Sequence, residues 1–157
     1  MLLAVGGCGG TDKEAVRPAA SKTSVAPAAS PRAAVDACKV LSAAEVQPFL
    51  GTTDGGQPSY GVGESVCQWR NAGTEETVTL SVGGKGTAAS GRLDPTSPYG
   101  ETEPVPELGE TARFSVGDGI LEFLAGDRDC EVQVAVLDKD KARRGAVALA
   151  RLARDRI

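Results

Sequence analysis

The sequence predicts an α+β domain: an antiparallel β-sheet meander with a short N-terminal helix and a C-terminal helix packed on one face. Three observations lead there. Ser42 and Glu45 have the spacing of a capping box at the head of an apolar stretch. Short runs of alternating apolar and polar residues follow, divided by turns rich in Gly and Asp. Near the end of the chain, Ala and Leu recur at helical spacing.

The elements follow in order. Leu41 and Val46 stand as a hydrophobic staple around the first helix start, and Gly51 stands where that helix should stop. Pro48 lies too deep for a first turn and should kink or shorten the helix. A strand over 66–70 places Cys67 and Trp69 on one face. A strand over 77–82 alternates Val78, Leu80 and Val82 with three hydroxyl residues, the pattern of a half-buried strand. Residues 84–110 carry Gly, Pro, Ser, Thr and four glutamates and read as a long loop. Strands over 111–116, 120–125 and 130–137 form a meander joined by Gly-Asp-Gly and Gly-Asp-Arg-Asp turns. The last places Cys130, Val132, Val134 and Val136 on one face. Asp140 is positioned to cap a final helix, on which Ala142, Ala146, Leu149, Ala150, Ala153 and Ile157 share a side, with Leu152 beside them.

Composition excludes whole classes of function. The chain has 157 residues, 41% hydrophobic and 24% charged, which suits one globular domain with a tail. Aromatics make up 4%, so Val, Leu and Ala must build most of the core. A net charge of −4 argues against a nucleic-acid partner. There is no histidine, which removes the usual neutral-pH base, the usual metal ligand and every Ser-His or Cys-His nucleophile. No Ser-x-x-Lys motif occurs, and Gly83-Gly84-Lys85-Gly86-Thr87 lacks the spacing of a phosphate-binding loop. No cofactor and no catalytic residue is expected. With one Trp and two Tyr, a platform of stacked aromatics for carbohydrate is hard to assemble.

Two charge clusters have competing readings. Glu122, Asp127, Asp129 and Glu131 crowd one hairpin. Asp127, Asp129 and Glu131 offer oxygens that suit calcium, but they do not match the twelve-residue calcium loop, and a tight turn favours Gly and Asp in any case. No metal site is therefore expected; no Cys-x-x-Cys occurs either. Residues 139–157 carry +5 and the rest of the chain −9. The plain reading pairs this basic helix with acids elsewhere on the domain; the sharper one faces it toward anionic lipid headgroups.

Three segments differ in composition. Residues 1–8 end in Ala4-Val5-Gly6-Gly7-Cys8, an apolar stretch and two small residues before Cys, which resembles the lipobox of a bacterial lipoprotein signal. No positive charge precedes Cys8, so the segment reads as a truncated signal whose full form begins upstream. The competing reading is an ordinary unstructured N-terminus that happens to contain a Cys. Residues 9–34 are mostly Ala, Pro, Ser, Gly and Thr and cannot bury enough surface to offset the entropy of ordering them. As a flexible tether they span about 30 Å, or about 80 Å as polyproline II. Residues 35–157 hold the folded domain. A lipid at Cys8 would place it on the outer face of the cell membrane, since two or more acyl chains hold a protein stably.

With Cys8 lipidated, three cysteines remain: Cys38, Cys67 and Cys130. An odd number in an oxidising compartment suggests one bridge and one free thiol. A Cys38–Cys67 bridge would close a loop of about 30 residues, worth about 3.6 kcal/mol in the chain-entropy model. The rival pairs Cys67 with Cys130 across two strands. Cys130 otherwise has the phase of a core residue.

Together, the lipobox Cys8, the Ala/Pro/Ser tether, Asp36-Ala37-Cys38-Lys39-Val40-Leu41-Ser42 leading to Gly51, and Cys67-Gln68-Trp69 resemble a family of actinobacterial lipoproteins grouped as domain of unknown function number 3558. The resemblance covers positions 36–69 best. It implies an exported, lipid-anchored protein and the Cys38–Cys67 pairing, and it implies no activity. Pro48 and Cys130 fit the pattern least.

The functional expectation is a membrane-tethered, non-catalytic binding module taking a protein or small ligand. The candidate surfaces are the exposed sheet face and the loop from 91 to 110, which carries Tyr99, Glu101, Glu103 and Glu107 among Pro95, Pro98, Pro104 and Pro106. The alternatives are an accessory or structural envelope lipoprotein without a ligand of its own, and a histidine-free hydrolase.

Overall fold

The structure, a computed structural model, describes residues 34–61 and 63–157. Cys8 and the tether through residue 33 lie outside the described residues. The domain is α+β, with a seven-stranded antiparallel sheet and its helices on one face.

The domain opens with a four-residue helix absent from the sequence reading, α1 (Ala37–Val40). Asp36 caps it, accepting the Cys38 N–H at 3.1 Å and pairing with Lys39 at 2.9 Å. α2 (Ala43–Leu50) begins as the sequence suggests: the Glu45 carboxylate accepts the Ser42 backbone N–H at 2.9 Å. The helix runs only two residues beyond Pro48. Gly51 ends it with φ of 84° and donates to the Gln47 carbonyl at 2.8 Å. The Asn71 side chain donates to the Leu50 carbonyl, satisfying another open helix end.

Seven strands follow: β1 (Gln57–Pro58), β2 (Ser65–Arg70), β3 (Thr77–Val82), β4 (Thr102–Pro104), β5 (Arg113–Ser115), β6 (Ile120–Ala125) and β7 (Arg128–Ala135). Their spatial order is β1-β2-β3-β7-β6-β5-β4. The sheet is thus two meanders joined where β7 pairs with β3, Thr77 opposite Ala135 and Val82 opposite Cys130. The segment read as one long loop contains edge strand β4 and a 3-10 turn over Pro106–Leu108. Val105 and Leu108 in it are buried in the core. Strands β5 and β7 also stop short of the expected 116 and 137.

The last helix, α3 (Lys139–Arg154), is capped by Asp138 rather than Asp140: the Asp138 carboxylate accepts the Lys141 N–H at 2.9 Å. Its Ala142, Ala146, Leu149, Ala150 and Ala153 are buried against β6 and β7 as their spacing suggests. Small side chains let the helix approach closely. At Gly145, a Cβ would come within 3.0 Å of the Phe49 ring from α2. Arg156 closes the helical layer. It donates to the Val40 carbonyl at 2.6 Å and forks onto both Glu45 oxygens at 2.9 and 2.5 Å. That guanidinium, with the Ser42 N–H, holds the Glu45 carboxyl down at about 2.

Between helices and sheet lie Trp69, Phe123, Leu80, Leu121, Val78 and Val132, all inaccessible to solvent. Cys38 of α1 is bonded to Cys67 of β2, with Cα atoms 5.0 Å apart. Gly56 crosses directly above this bridge. A Cβ there would lie 2.6 Å from the Cys67 sulfur and 2.8 Å from the Trp69 indole, so the approach of β1 depends on having no side chain at that position. Cys130 is buried and free, and burial pushes its thiol up to about 12 against the smaller opposing effect of the Gly83 N–H.

Two outcomes follow from this core. Replacing Cys38 and Cys67 together by serine is expected to lower the unfolding free energy by about 3–4 kcal/mol in urea titration; a loss below about 1 kcal/mol would mean the α1–β2 contacts hold the loop without the bridge. Iodoacetamide at mildly alkaline pH is expected to leave Cys130 unmodified in the folded protein and to alkylate it fully in denaturant. Equal rates in the two states would contradict its burial.

Candidate functional site

Strand alternation places one set of side chains in the core and the other on the outer face, away from the helices. Pairing aligns the outer set into rows. In one row Gln68 faces Thr79, which faces Gln133. In the next, Ser81 faces Glu131, Glu131 faces Glu122, and Glu122 faces Arg113. Two carboxylates directly opposite one another repel, so this second row needs partners.

Both partners are in place. Arg113 grips Glu122 in a fork, at 2.7 Å from Nε and 3.0 Å from Nη2, with the two side chains only 14% and 10% exposed. Ser97 donates to the same carboxylate at 2.7 Å. Glu131 is served by Tyr99, whose hydroxyl lies 2.9 and 3.0 Å from its two oxygens and donates its proton there. Burial pushes the Glu131 carboxyl upward; the Tyr99 hydroxyl opposes this, while Glu122 and Asp129 add to it. Burial, then Glu131, pushes the Tyr99 phenol well above its ordinary range.

Ser97 and Tyr99 belong to the connection that leaves β3 in the middle of the sheet and returns as β4 at its far edge. Their bonds lay that connection across the outer face. Ser115 of β5 also donates to the Tyr99 carbonyl at 2.8 Å. Tyr99, expected as part of a long candidate binding loop, is a half-buried wall fastened to the sheet.

Beside this wall lies a hollow of about 200 Å3. Tyr60, fully exposed on the segment between β1 and β2, forms the opposite rim. That segment is held by the Ser59 N–H donating to the Val66 carbonyl at 3.0 Å. Gln68, Thr79 and Gln133 line the floor, with Ser81 and Glu131 beside them. The chain has two tyrosines, and both stand at this hollow. The sequence alone does not name Tyr60 or the floor residues Thr79 and Gln133 as site residues, and it marks Gln68 only within the Cys67-Gln68-Trp69 motif. The hydroxyl alternation of 77–82 marked the polar face, but nothing in the sequence says which residues a long connection will cross.

The glutamates of the connection go elsewhere. Glu101, Glu103 and Glu107 are exposed and do not line the hollow. Glu103 pairs with Arg143 of α3 at 3.7 Å. With Arg156 on Glu45, this contact brings part of the basic helix face onto acids of the same domain. Asp127, Asp129 and Glu131 do not converge, and among the described residues no cluster of three or more His, Cys, Asp or Glu is arranged to hold a metal. Glu131 faces Tyr99, while the Asp129 N–H donates to the Thr87 hydroxyl at 3.1 Å. Glu122 is enclosed by Arg113 and Ser97 and lies outside the hollow lining.

A larger cleft of about 440 Å3 opens at the end of the sheet, walled by Val134, Val136, Leu137 and Ala142. Its polar lining is Thr74, Glu75, Glu76, Asp118 and Lys139, of which Lys139 donates to the Gly117 carbonyl at 3.0 Å and Asp118 lies 3.0 Å from the Ser115 hydroxyl oxygen. Among the described residues, no helix is long and apolar enough to cross a membrane. Comparison of the chain with protein-family models, with curated proteins and with solved structures finds no match.

Glu131 makes a pH signature. The folded protein holds its proton more tightly than the unfolded chain, so this group's contribution to stability falls as pH rises from 4.5 through the raised value. Urea titrations from about pH 4 to about pH 8 are expected to show Glu131→Gln gaining on the wild type through that interval and then levelling. A difference that stays flat or shrinks with rising pH would contradict the burial of this carboxyl.

Proposed function

We propose that the chain is a lipid-anchored extracytoplasmic envelope lipoprotein, and that its domain is a non-catalytic binding module holding its ligand on the outer face of the sheet. One observation carries the binding reading: a chain connection is fastened across that face by Ser97 and Tyr99, and the hollow it walls with Tyr60 is floored by polar side chains. The same geometry favours binding over hydrolysis. The two facing carboxylates are each engaged by a neighbour, and only Glu131 reaches the hollow.

The anchor rests on sequence. Gly6-Gly7-Cys8 precedes a tether rich in Ala, Pro and Ser, and positions 36–69 resemble the actinobacterial lipoproteins named above. Attachment would keep the hollow close to the envelope surface, so that a weak ligand contact acts at high local concentration.

Point substitution tests the site better than loop removal. Replacing 91–107 would delete β4 and the buried Val105 and disturb the fold itself. The anchor is tested by intact-mass analysis of the protein from its native membrane fraction, expressed with its upstream reading frame. The expected species begins at Cys8 and carries diacylglyceryl mass. An unmodified soluble chain beginning at Met1 would overturn the lipoprotein reading.

A further inference from the structure

The chemistry of the hollow narrows what it can hold. No lysine or arginine lines it and Glu131 does, so an anionic group would meet repulsion; Arg70 stands beside the floor, donating to Gln68 at 3.4 Å. A purely aliphatic group would strand the amides of Gln68 and Gln133 and the hydroxyls of Thr79 and Ser81 away from water. Gln68 makes two long contacts, donating to the Thr79 hydroxyl at 3.4 Å and accepting from Arg70 at 3.4 Å. Gln133 uses one donor, a long 3.3 Å contact to the Asp118 carbonyl. The floor therefore retains both donors and acceptors, and Glu131 retains acceptor capacity beyond the one proton it takes from Tyr99.

The walls add a second requirement. Two aromatic rings flank a polar floor, so the occupant must show apolar surface at its sides and hydroxyls below. At about 200 Å3 the space is smaller than a drug-sized site and accepts one small ring. A simple ammonium group would use the carboxylate and leave the remaining donors and acceptors of Gln133, Gln68 and Ser81 unused.

We infer that this hollow binds a single neutral sugar ring, the exposed residue of a glycan, with Tyr60 and Tyr99 against its C–H faces and Gln68, Gln133 and Glu131 taking its hydroxyls. This rests on the binding-module reading and deepens it. The scarcity of aromatics that argues against an extended carbohydrate platform does not apply here, because one ring needs only the two tyrosines that the fold brings together.

The test uses the full chain and defined probes: methyl glycosides of glucose, galactose, mannose, arabinose and N-acetylglucosamine, with glucosamine and glucuronate as charged counterparts. Saturation-transfer NMR and titration calorimetry read binding. The expected result is saturable binding of at least one neutral glycoside with Kd on the order of 1 mM, a strength suited to about twelve non-hydrogen atoms. Tyr60→Ala, at a position with no burial to lose, and Gln133→Ala are each expected to weaken it about tenfold, with the Tm of Tyr60→Ala unchanged. Glucuronate is expected to bind at least about tenfold more weakly than its neutral parent. Binding that ignores both substitutions, glucuronate binding as well as glucose, or binding of glucosamine alone would overturn the inference.

A photoreactive residue at position 60 in the membrane-anchored protein separates the two levels. An adduct with a ligand free of sugar, together with no neutral glycoside bound, overturns the sugar and leaves the binding module standing. No adduct and no glycoside bound overturn both.

Discussion

β7 lies between β3 and β6, paired with β3 over six residues from Thr77–Ala135 to Val82–Cys130. The last strand of the chain thus closes the middle of the sheet. The chain leaving β3 finds that place reserved and must travel to the far edge before it can pair again as β4. One face of the sheet is filled by three helices around Trp69 and Phe123. The connection accordingly crosses the other face, and the bonds of Ser97 and Tyr99 record its course. The hollow is a consequence of this topology: a segment lying across a pleated sheet covers part of it and leaves a recess beside itself.

That crossing also resolves an electrostatic conflict written into the strand register. Glu122 and Glu131 are directly opposite; Glu122 is buried and Glu131 half-buried, so neither is as well solvated as a member of a surface pair. Arg113 compensates one charge from the adjacent strand, and removing one member of so buried a pair costs about 3–5 kcal/mol. The second carboxylate receives only a neutral donor, the Tyr99 hydroxyl. The row is asymmetric as a result. Glu122 is fixed by three hydrogen bonds and serves the fold, whereas Glu131 remains under-compensated at the edge of the recess.

Elements whose signals are local were legible in the sequence. The Ser42–Glu45 box, the alternation of Val78, Leu80 and Val82, and the helical spacing from Ala142 to Ala153 each depend on neighbours a few residues away. Elements that exist only through tertiary contact were not. α1 has one turn, too short to show a period, and depends on the Asp36 cap and the bond from Cys38 to Cys67. β4 is a three-residue edge strand ending in Pro104, which reads as loop until β5 lies beside it. The choice between Asp138 and Asp140 as helix cap turned on a two-residue shift that spacing alone does not resolve. Of the candidate binding-loop residues, Tyr99 lines the hollow and is hydrogen-bonded to the sheet, while Glu101 and Glu107 are exposed and Glu103 pairs with Arg143 of α3.

The distribution of aromatics shows how the two faces divide their tasks. Trp69, Phe114 and Phe123 are buried in the core, and Phe49 packs against it over Gly145. A chain so poor in aromatics has every phenylalanine and its tryptophan on the helical side, where their area contributes most to stability. The tyrosines, whose hydroxyls need a partner when buried, lie on the other side. Tyr99 found its partner in Glu131 and became part of the structure. Tyr60 has none among the described residues and removes no surface from water, so folding gains almost nothing from it. The two residues differ in what holds them yet face the same recess. One is a wall fastened to the sheet and the other an exposed ring that the fold leaves unengaged.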